Sequence, residues 1–301
     1  MNIEVYNDFN AKNLTTFKIS GIIKRAYFPK NKDELVHLLK ILDNPLVLGN
    51  CSNVLISSYG VNRDVIFTKK CNNIDVLDDI LSVECGANGI MASKVAYENG
   101  LGGLEFMIGF PGSIGGEIYM NASAQNQCIS DYLVCADIFD KSTKMVKTFS
   151  KEDLNFSYRH SICQDKEYVV LSGTFMLPLT DKKIIKEKMD MNLKFRHEHQ
   201  PSLKYPNCGS VFKNPENTSA GKLLDEIGAK TLTYGGAKVW ENHANFIINQ
   251  NNASSSDILN LMLLMYNKVN KEKHITLKPE VIYIGSNSKE EENIWKILNT
   301  K

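Results

Sequence analysis

The sequence predicts an α+β fold in two domains. Short apolar runs bounded by Gly, Pro and Asn predict strands and hairpins over most of the first 180 residues. Helical stretches occur between them at irregular intervals, which does not fit a regular alternation of strand and helix. A long charged helical stretch over residues 180–198 runs to Pro201 and predicts a boundary, so we expect one domain over residues 1–180 and a second over residues 181–301.

The first predicted helix covers residues 33–42, where leucines recur at helical spacing, and Asn31 or Asp33 is its expected cap. A second helix is predicted over residues 90–98 and ends before Gly100. Apolar runs predict short strands over residues 45–48, 54–56, 65–67 and 80–85. Strands are therefore expected to outnumber helices in this part of the chain.

A hairpin is predicted over residues 133–149, because two apolar runs flank the turn sequence Lys-Ser-Thr-Lys. The alternating residues 168–177 predict another strand. In the second domain, helices are predicted over residues 219–227 and 254–270, and strands over residues 245–249 and 280–284. The acidic run 289–293 is expected to be the solvent-exposed start of a short tail helix.

Composition and charge exclude several classes of protein. Apolar residues make up 43% of the chain and charged residues 23%, with a formal net charge of +1. Lys and Arg are scattered, so the concentrated basic face of a nucleic-acid-binding protein is missing. The longest apolar stretch is too short to span a bilayer, and the first residues lack the pattern of a secretory signal. We therefore expect a cytoplasmic monomer with no nucleic-acid or membrane partner.

The cysteines and histidines indicate neither disulfides nor a metal site. Seven cysteines form an odd set without a Cys-x-x-Cys pair, so we expect reduced thiols that are mostly small apolar core residues. His197 and His199 form a His-x-His pair, and His243 lies further along the chain. No further ligands with metal spacing accompany these histidines, so we expect no bound metal.

Glycine is concentrated between residues 100 and 116, with seven glycines in seventeen residues. The segment GFPGSIGG, residues 109–116, matches neither the Walker pattern nor Gly-x-Gly-x-x-Gly after a strand. Glycine allows the main chain to approach a ligand closely, so that backbone amides face an anion. Together with LGNCSN upstream and MNASA downstream, this segment is expected to bind a diphosphate and a flat heterocycle. On the glycines alone, a purely structural role in tight turns stays open.

Seven segments occur in a fixed order, namely TTFKISG, LGNCSNVLI, GLEFMIGFPGSIGGEIYMNASA, YRHS, QPSLKYPNCGSVFKNP, AGKLLDEIGAK and KPEVIYIG. Together they resemble the UDP-N-acetylenolpyruvoylglucosamine reductase family, from about residue 15 to residue 285. The proline–glycine segment and Gly-Ser-x-Phe-Lys-Asn-Pro are the most specific. The short interval between Tyr158 and Gln200 resembles the subtype of the family that lacks an inserted substrate-covering loop.

The resemblance implies an FAD-binding region of the vanillyl-alcohol-oxidase type, followed by a smaller α+β substrate-binding domain. It also implies an FAD-dependent oxidoreductase of peptidoglycan biosynthesis, with NADPH as co-substrate. The implied reaction reduces the enolpyruvyl ether of UDP-N-acetylglucosamine enolpyruvate to UDP-N-acetylmuramate. Hydride passes from the reduced flavin to the terminal alkene carbon, and negative charge develops beside the substrate carboxylate.

Three residues match the catalytic set of the family: Arg159 in YRHS, Ser210 in CGSVFKNP and Glu280 in KPEVIYIG. Arg159 suits the developing charge, because a guanidinium stays protonated and can hold a carboxylate through two hydrogen bonds. Ser210 is a weak acid, so its implied role as proton donor requires close placement and a basic carbanion. Glu280 lies in an apolar strand context and is expected to pair within the site.

The implied ligand contacts fall into two sets. The expected cofactor-binding residues are Gly49, Asn50, Cys51, Ser52, Asn53, Gly109, Pro111, Gly112, Ser113, Gly115, Gly116, Asn121 and Ala122. The expected substrate-binding residues are Tyr158, Lys204, Lys213 and Asn214.

The sequence departs from the family pattern at four positions. Ser20, Cys51 and Ser123 stand where glycine is usual, and Trp240 stands where a small serine is usual. If the main chain at Cys51 has a positive φ, its side chain costs on the order of 1 kcal/mol. Two alternatives therefore stay open: another FAD oxidase of the same cofactor-binding class, and a UDP-sugar-binding protein without flavin.

Overall fold

The computed structural model describes residues 2–202 and 204–300 of the chain. Its α-helices are α1 Lys32–Ile41, α2 Gly89–Glu98, α3 Ile114–Tyr119, α4 Lys182–His199, α5 Ala220–Glu226, α6 Ser255–Lys273 and α7 Lys289–Leu298. No helix within the described residues is both long enough and apolar enough to cross a membrane.

The strands occur throughout the chain and mostly precede α4. They are β1 Glu4–Asn10, β2 Ile22–Phe28, β3 Leu46–Leu48, β4 Val54–Ile56, β5 Val61–Phe67, β6 Ile74–Leu77, β7 Ile80–Glu84, β8 Ser123–Ala124, β9 Gln127–Cys128, β10 Leu133–Asp140, β11 Met145–Ser150, β12 Tyr168–Met176, β13 Thr233–Tyr234, β14 Ala237–Val239, β15 Ile247–Asn249 and β16 Ile282–Ile284. Strands β1, β2, β5 and β3 follow one another in one sheet. The predicted α+β class is confirmed.

The chain divides into two compact units, and unit 1 consists of Met1–Tyr6, Arg25–Asn50 and Arg63–Arg196. Its main feature is the sheet β11-β10-β12-β7-β6, in which neighbouring strands are antiparallel. The predicted hairpin is the β10–β11 pair, closed at Asp140 and Met145. One apolar cluster packs the sheet against α2 and α3, and another packs α1.

The caps of the unit 1 helices follow directly from the sequence. Asn31 accepts a hydrogen bond from the Glu34 amide and begins α1, and Asn88 accepts one from the Ile90 amide and begins α2. The apolar side of α1 is formed by buried leucines, as its spacing predicts. Sequence and structure therefore agree on these helices to within two residues.

Unit 2 consists of Asn7–Lys24, Cys51–Asn62 and His197–Lys301. It contains the antiparallel sheet β13-β14-β15 and the parallel pair β16–β4. Helix α6 begins with a capping box, because the Ser254 side chain accepts from the Asp257 amide and the Asp257 side chain accepts from the Ser254 amide. One large apolar cluster packs α5, α6 and α7 against these strands.

The expectation that the acidic run 289–293 is solvent-exposed is wrong for Glu291. Its side chain is fully buried and accepts hydrogen bonds from Ser57, Ser256 and Tyr283 at 2.6, 2.7 and 2.8 Å, as well as from the Ser255 hydroxyl. A buried carboxylate is tolerated where several donors satisfy it. Helix α7 is therefore held to unit 2 by a polar network in addition to its apolar side.

Candidate active site

The glycine segment of unit 1 lies against residues 49 and 50. A Cβ atom added to Gly49 would lie 1.9 Å from Ser113 Oγ, so only glycine fits there. Asn50 Nδ2 donates to the Gly112 carbonyl oxygen at 3.0 Å. Two of the predicted cofactor-binding segments therefore meet within unit 1.

The amides of the glycine segment differ in what they bind. Gly115 donates to the Cys85 carbonyl at 2.8 Å, and Gly116 donates to Ser113 Oγ at 3.4 Å. Within residues 2–202 and 204–300, the amides of Gly112 and Ser113 donate to no acceptor. Gly112 and Ser113 therefore carry the amides that can receive an anionic ligand.

Glu117 follows these amides in α3 and is 4% exposed. Neither of its carboxyl oxygens has a hydrogen-bond partner in the described chain, and burial raises the pKa of the group to about 8. Gly89 and Gly112 give it room, because a Cβ at either would lie 2.5 and 2.7 Å from Oε1. Glu117 is therefore mainly protonated at neutral pH.

Asn121 has a left-handed main chain, with φ 43°, at the end of α3. Its Nδ2 donates to the Ser157 carbonyl at 3.0 Å, whereas its Oδ1 is buried without a partner in the part of the chain described. Ala122 follows and donates its amide to the Glu117 carbonyl at 2.9 Å. Buried polar groups without a protein partner are usually satisfied by a ligand or by water, so these residues fit a polar cofactor such as FAD.

The YRHS turn is joined to this segment. Ser157 and His160 form a two-residue bridge through mutual amide-to-carbonyl bonds of 3.1 and 3.2 Å. Arg159, at the tip, has φ 55° and donates from Nη1 to Ser123 Oγ at 2.5 Å. Its guanidinium carbon lies 5.2 Å from the centre of the Tyr158 ring, at cation–π distance. Arg159 and Tyr158 therefore share one short turn, and this turn lies beside residues 121–123.

In unit 2, Ser210 and Glu280 lie on paired segments. Val211 accepts a hydrogen bond from the Glu280 amide at 2.9 Å, and Phe212 pairs with Pro279 in an antiparallel bridge. Both Ser210 and Glu280 are half-buried. Two of the three predicted catalytic residues are thus neighbours within one unit.

Cys208 lies near Glu280 and is affected by its charge. Burial raises the pKa of the Cys208 thiol well above its usual range, and the nearby Glu280 carboxylate raises it further. The thiol therefore stays protonated and does not act as a nucleophile. All seven cysteines are free, and five of them are buried.

The residues Cys51, Ser52 and Asn53 also belong to unit 2. Cys51 has φ 51°, so a residue with a side chain occupies the left-handed conformation that glycine adopts at low cost. Asn53 Nδ2 donates to the Glu280 carbonyl at 3.0 Å, and the Ile282 amide donates to the Asn53 carbonyl at the same distance. Asn53 thereby holds the main chain at Glu280.

The predicted substrate-binding residues of unit 2 lie in irregular segments. Lys204 is exposed in a turn, and Lys213 is half-buried with its amide bonded to the Lys278 carbonyl at 2.8 Å. Asn214 accepts from the Ala220 amide at 3.0 Å, which supports the first turn of α5. Within the described residues, no group of three or more His, Cys, Asp or Glu side chains could hold a metal ion.

Arg196, near the end of α4, is a residue that the sequence analysis missed. A Cβ at Gly109 would lie 2.1 Å from Arg196 Cδ, and the guanidinium lies 5.4 Å from the centre of the Phe110 ring. Burial lowers its pKa to about 10, which still leaves it charged at neutral pH. No carboxylate of residues 2–202 and 204–300 pairs with it. Arg196 lies in a helix with many charged residues, so the sequence pattern did not indicate its contact with Gly109 and Phe110.

Comparison with family models identifies both halves of the sequence. Residues 200–284 match the model described as UDP-N-acetylenolpyruvoylglucosamine reductase, C-terminal domain. Residues 23–148 match the model of an FAD binding domain. The second match covers the whole glycine-rich region and α3, which agrees with the fit of these residues to a flavin.

Known relatives match nearly the whole chain. UDP-N-acetylenolpyruvoylglucosamine reductase from Caldicellulosiruptor saccharolyticus is 37% identical over 95% of this chain and 93% of its own. The protein of the same name from Caldicellulosiruptor bescii is 39% identical over 94% and 91%. The crystal structure of the reductase from Thermus caldophilus superposes with a TM-score of 0.81 and 28% identity, covering 95% of this chain and 100% of that one. The chain is an FAD-binding oxidoreductase and belongs to the UDP-N-acetylenolpyruvoylglucosamine reductase family.

Proposed function

We propose that this enzyme reduces the enolpyruvyl ether of UDP-N-acetylglucosamine enolpyruvate to UDP-N-acetylmuramate, with NADPH as the reductant, in peptidoglycan biosynthesis. Family membership supports the reaction class. The observation that carries the assignment to a carboxylate-bearing substrate is the turn of Arg159, which is hydrogen-bonded to Asn121 and Ser123 just after α3. A fixed guanidinium beside a cofactor-binding segment suits a substrate whose carboxylate gains negative charge during the reaction.

Arg159 is proposed to hold the substrate carboxylate. A guanidinium offers five donors in a planar fork, which matches a carboxylate. Charge that moves toward this carboxylate in the transition state is stabilised more strongly than the charge of the ground state. Tyr158, on the same turn, is proposed to contact the substrate as well.

Ser210 is proposed to donate a proton to the substrate carbon that becomes a carbanion. A hydroxyl donates to carbon only when it is placed close to a strongly basic centre, and its own alkoxide is then stabilised by neighbouring groups. Glu280 lies on the segment paired with residues 211–213 and is proposed to complete the polar environment of this step. Lys204, Lys213 and Asn214 are proposed as contacts of the UDP-sugar.

FAD supplies the hydride when it is bound and reduced by NADPH. Among the predicted contacts, the amides of Gly112 and Ser113 are proposed to bind its diphosphate, because they donate to no acceptor in the described chain. Gly49 and Gly109 are proposed to allow close approach of the main chain. We propose that FAD is also contacted by the remaining predicted residues, Asn50, Cys51, Ser52, Asn53, Pro111, Gly115, Gly116, Asn121 and Ala122.

We further propose that residues 1–180 act as the FAD-binding domain and residues 181–301 as the substrate-binding domain. A cytoplasmic location is proposed, because the seven cysteines are free thiols, as expected in a reducing compartment. A monomer is proposed as well.

The purified protein should be yellow and should oxidise NADPH when the enolpyruvyl UDP-sugar is added. Stopped-flow absorbance separates the two half-reactions. In Ser210→Ala, NADPH should still reduce the flavin at the wild-type rate, whereas reoxidation by the UDP-sugar should slow by at least about 100-fold, the usual range for loss of a general acid. Ser286→Ala, at an exposed loop position of unit 2, is the matched control and should retain both rates.

Full turnover by Ser210→Ala would remove Ser210 as the donor. Rapid reoxidation of the reduced flavin by oxygen, together with no response to the UDP-sugar, would instead identify an oxidase. Either result would leave family membership intact and would change the reaction assigned to this chain.

A further inference from the structure

The turn that carries Arg159 is fixed to the end of α3 by side chains. Asn121 Nδ2 donates to the Ser157 carbonyl at 3.0 Å, and Ser161 Oγ donates to the Tyr119 carbonyl at 2.8 Å. Both bonds are local to unit 1 and lie on either side of Arg159. The position of the Arg159 backbone is therefore set by the segment that follows the glycines.

The main chain at Arg159 is held in a costly conformation. A left-handed φ of 55° at a residue with a Cβ costs on the order of 1 kcal/mol. Gln164 Nε2 donates to the Arg159 carbonyl at 3.0 Å and to the Tyr119 carbonyl at 2.9 Å, which joins the turn to α3 once more. Such a conformation persists where the surroundings fix it.

The guanidinium itself is oriented by Ser123. Nη1 donates to Ser123 Oγ at 2.5 Å, while the Tyr158 ring lies beside the guanidinium carbon at 5.2 Å from the ring centre. Ser123 begins β8, where it pairs with Cys128 of β9, so the acceptor sits on a fixed backbone. The hydrogen bond to Ser123 and the contact with the Tyr158 ring both limit rotation of the guanidinium plane. The family resemblance places glycine at this position, and glycine has no acceptor to offer.

We propose that Ser123 is a positioning residue for Arg159: its hydroxyl fixes the plane of the guanidinium in the orientation that receives the substrate carboxylate. This inference rests on the proposed function, in which Arg159 binds that carboxylate. A planar bidentate contact depends strongly on angle, so loss of the Ser123 acceptor weakens carboxylate binding without removing the charge.

Three variants separate orientation from folding. Ser123→Ala removes the acceptor and keeps the Cβ, Ser123→Gly restores the residue usual in the family, and Ser123→Thr keeps the hydroxyl. In Ser123→Ala we expect kcat/KM for reoxidation by the enolpyruvyl UDP-sugar to fall about tenfold, mainly through KM, which corresponds to one hydrogen bond to a charged group. Reduction of the flavin by NADPH should be unchanged. Ser123→Thr should return to within about threefold of wild type.

Thr148→Ala is the matched control, because Thr148 Oγ1 also bonds a polar side chain in unit 1, that of Asp137 at 2.7 Å. It should leave both half-reactions unchanged. A merely structural role for Ser123 would lower both half-reactions and the melting temperature together. Equal kcat/KM in Ser123→Ala and wild type would overturn the proposal, as would failure of Ser123→Thr to restore the rate in a folded protein.

A measurement without substrate distinguishes this inference from the proposed function. The guanidinium ¹⁵N–¹H signals of Arg159, assigned with Arg159→Lys, should show restricted Nη rotation in the wild-type holoenzyme and faster rotation in Ser123→Ala. The same rotation rate in both proteins would refute the Ser123 contact whatever the substrate. Restricted Nη rotation in a protein whose flavin is not reoxidised by the UDP-sugar would refute the proposed function. The contact between Arg159 and Ser123 would then still be established.

Discussion

The Glu117 carboxyl is packed against the glycines at positions 89 and 112, and both of its oxygens lack a hydrogen-bond partner in the described chain. Burial raises its pKa to about 8, far from the value of 4.5 for an exposed glutamate. A neutral carboxyl can donate one hydrogen bond as well as accept, whereas a carboxylate only accepts. Glu117 lies next to the amides proposed to bind the diphosphate and is therefore mainly uncharged at neutral pH. An ionised carboxylate at this position would repel the anion.

Glu117→Gln should remove a pH dependence of stability. Because the folded state keeps the proton up to about pH 8 and the unfolded chain loses it near pH 4.5, the contribution of Glu117 is fully favourable at low pH and is lost as pH rises through this window. The loss has an upper limit of about 5 kcal/mol, at 1.36 kcal/mol per pKa unit. The free energy of unfolding should be measured by urea denaturation of the flavin-free proteins at pH 5, 7 and 9. As pH rises, the wild type should lose stability relative to Glu117→Gln.

A stability difference between Glu117→Gln and wild type that stays constant with pH would contradict this linkage. Glu105→Gln serves for comparison, because Glu105 is also buried in unit 1 but accepts a hydrogen bond from the Gly103 amide at 2.7 Å.

Single residues also set the limit of prediction from sequence. The MNASA segment and the YRHS turn were identified from the sequence, and the structure joins them in unit 1 through Asn121 and Ser123. The environment of Glu117 and the contact of Arg159 with Ser123 were not predictable, because both depend on residues distant in the sequence. From the sequence, Ser123 was notable only because it stands where glycine is usual in the family.

Among the elements, helix α4 places the positive charge of Arg196 beside the glycine segment. Arg196 is half-buried, with its side chain beside Gly109 and Phe110, and no carboxylate of the described chain pairs with it. Enclosing an unpaired charge lowers the stability of a folded chain, so such a residue is retained where a ligand supplies the opposite charge. We expect the FAD diphosphate to be such a ligand.

Arg196→Met should therefore separate stability from cofactor affinity. The melting temperature of the flavin-free protein should stay the same or rise, because a half-buried unpaired charge is replaced by an apolar side chain of similar length. The Kd for FAD, measured by quenching of flavin fluorescence, should rise at least about tenfold through loss of a charged contact. Lys183→Met, at an exposed position of the same helix, should change neither quantity. An unaltered Kd in Arg196→Met would show that this arginine does not face the cofactor.

Elements with local signals were predicted well and the others were not. Helices α1 and α6 have caps and apolar spacing that a single segment reveals. Strand β1 was missed because most of its residues are exposed and its pattern shows no alternation. Helix α7 was expected at its true place, but the buried role of Glu291 depends on Ser57 and Tyr283, which belong to other segments.

For the whole molecule, each compact unit is assembled from three separate segments of the chain. A sequence pattern is confined to consecutive residues, whereas a core is shared by segments that are distant in the sequence. Each unit has its own apolar cluster, built from residues of at least two of its segments. Local patterns therefore predict the class and most elements, and the tertiary contacts decide how the candidate site residues are grouped.

A ligand that binds only the native state stabilises the chain by mass action, and FAD should do so here. With free FAD at about 100 times its Kd, the gain is about 2.7 kcal/mol, which for a chain of this size raises the melting temperature by several degrees. Differential scanning fluorimetry of the flavin-free protein should show a midpoint that rises steadily with FAD concentration. Riboflavin, which lacks the diphosphate and adenosine, should have a much smaller effect, because the amides of Gly112 and Ser113 then have no anion to bind. Equal shifts with riboflavin and FAD would mean that the glycine segment contributes nothing to affinity, and that its glycines serve only the packing of Glu117 and Ser113.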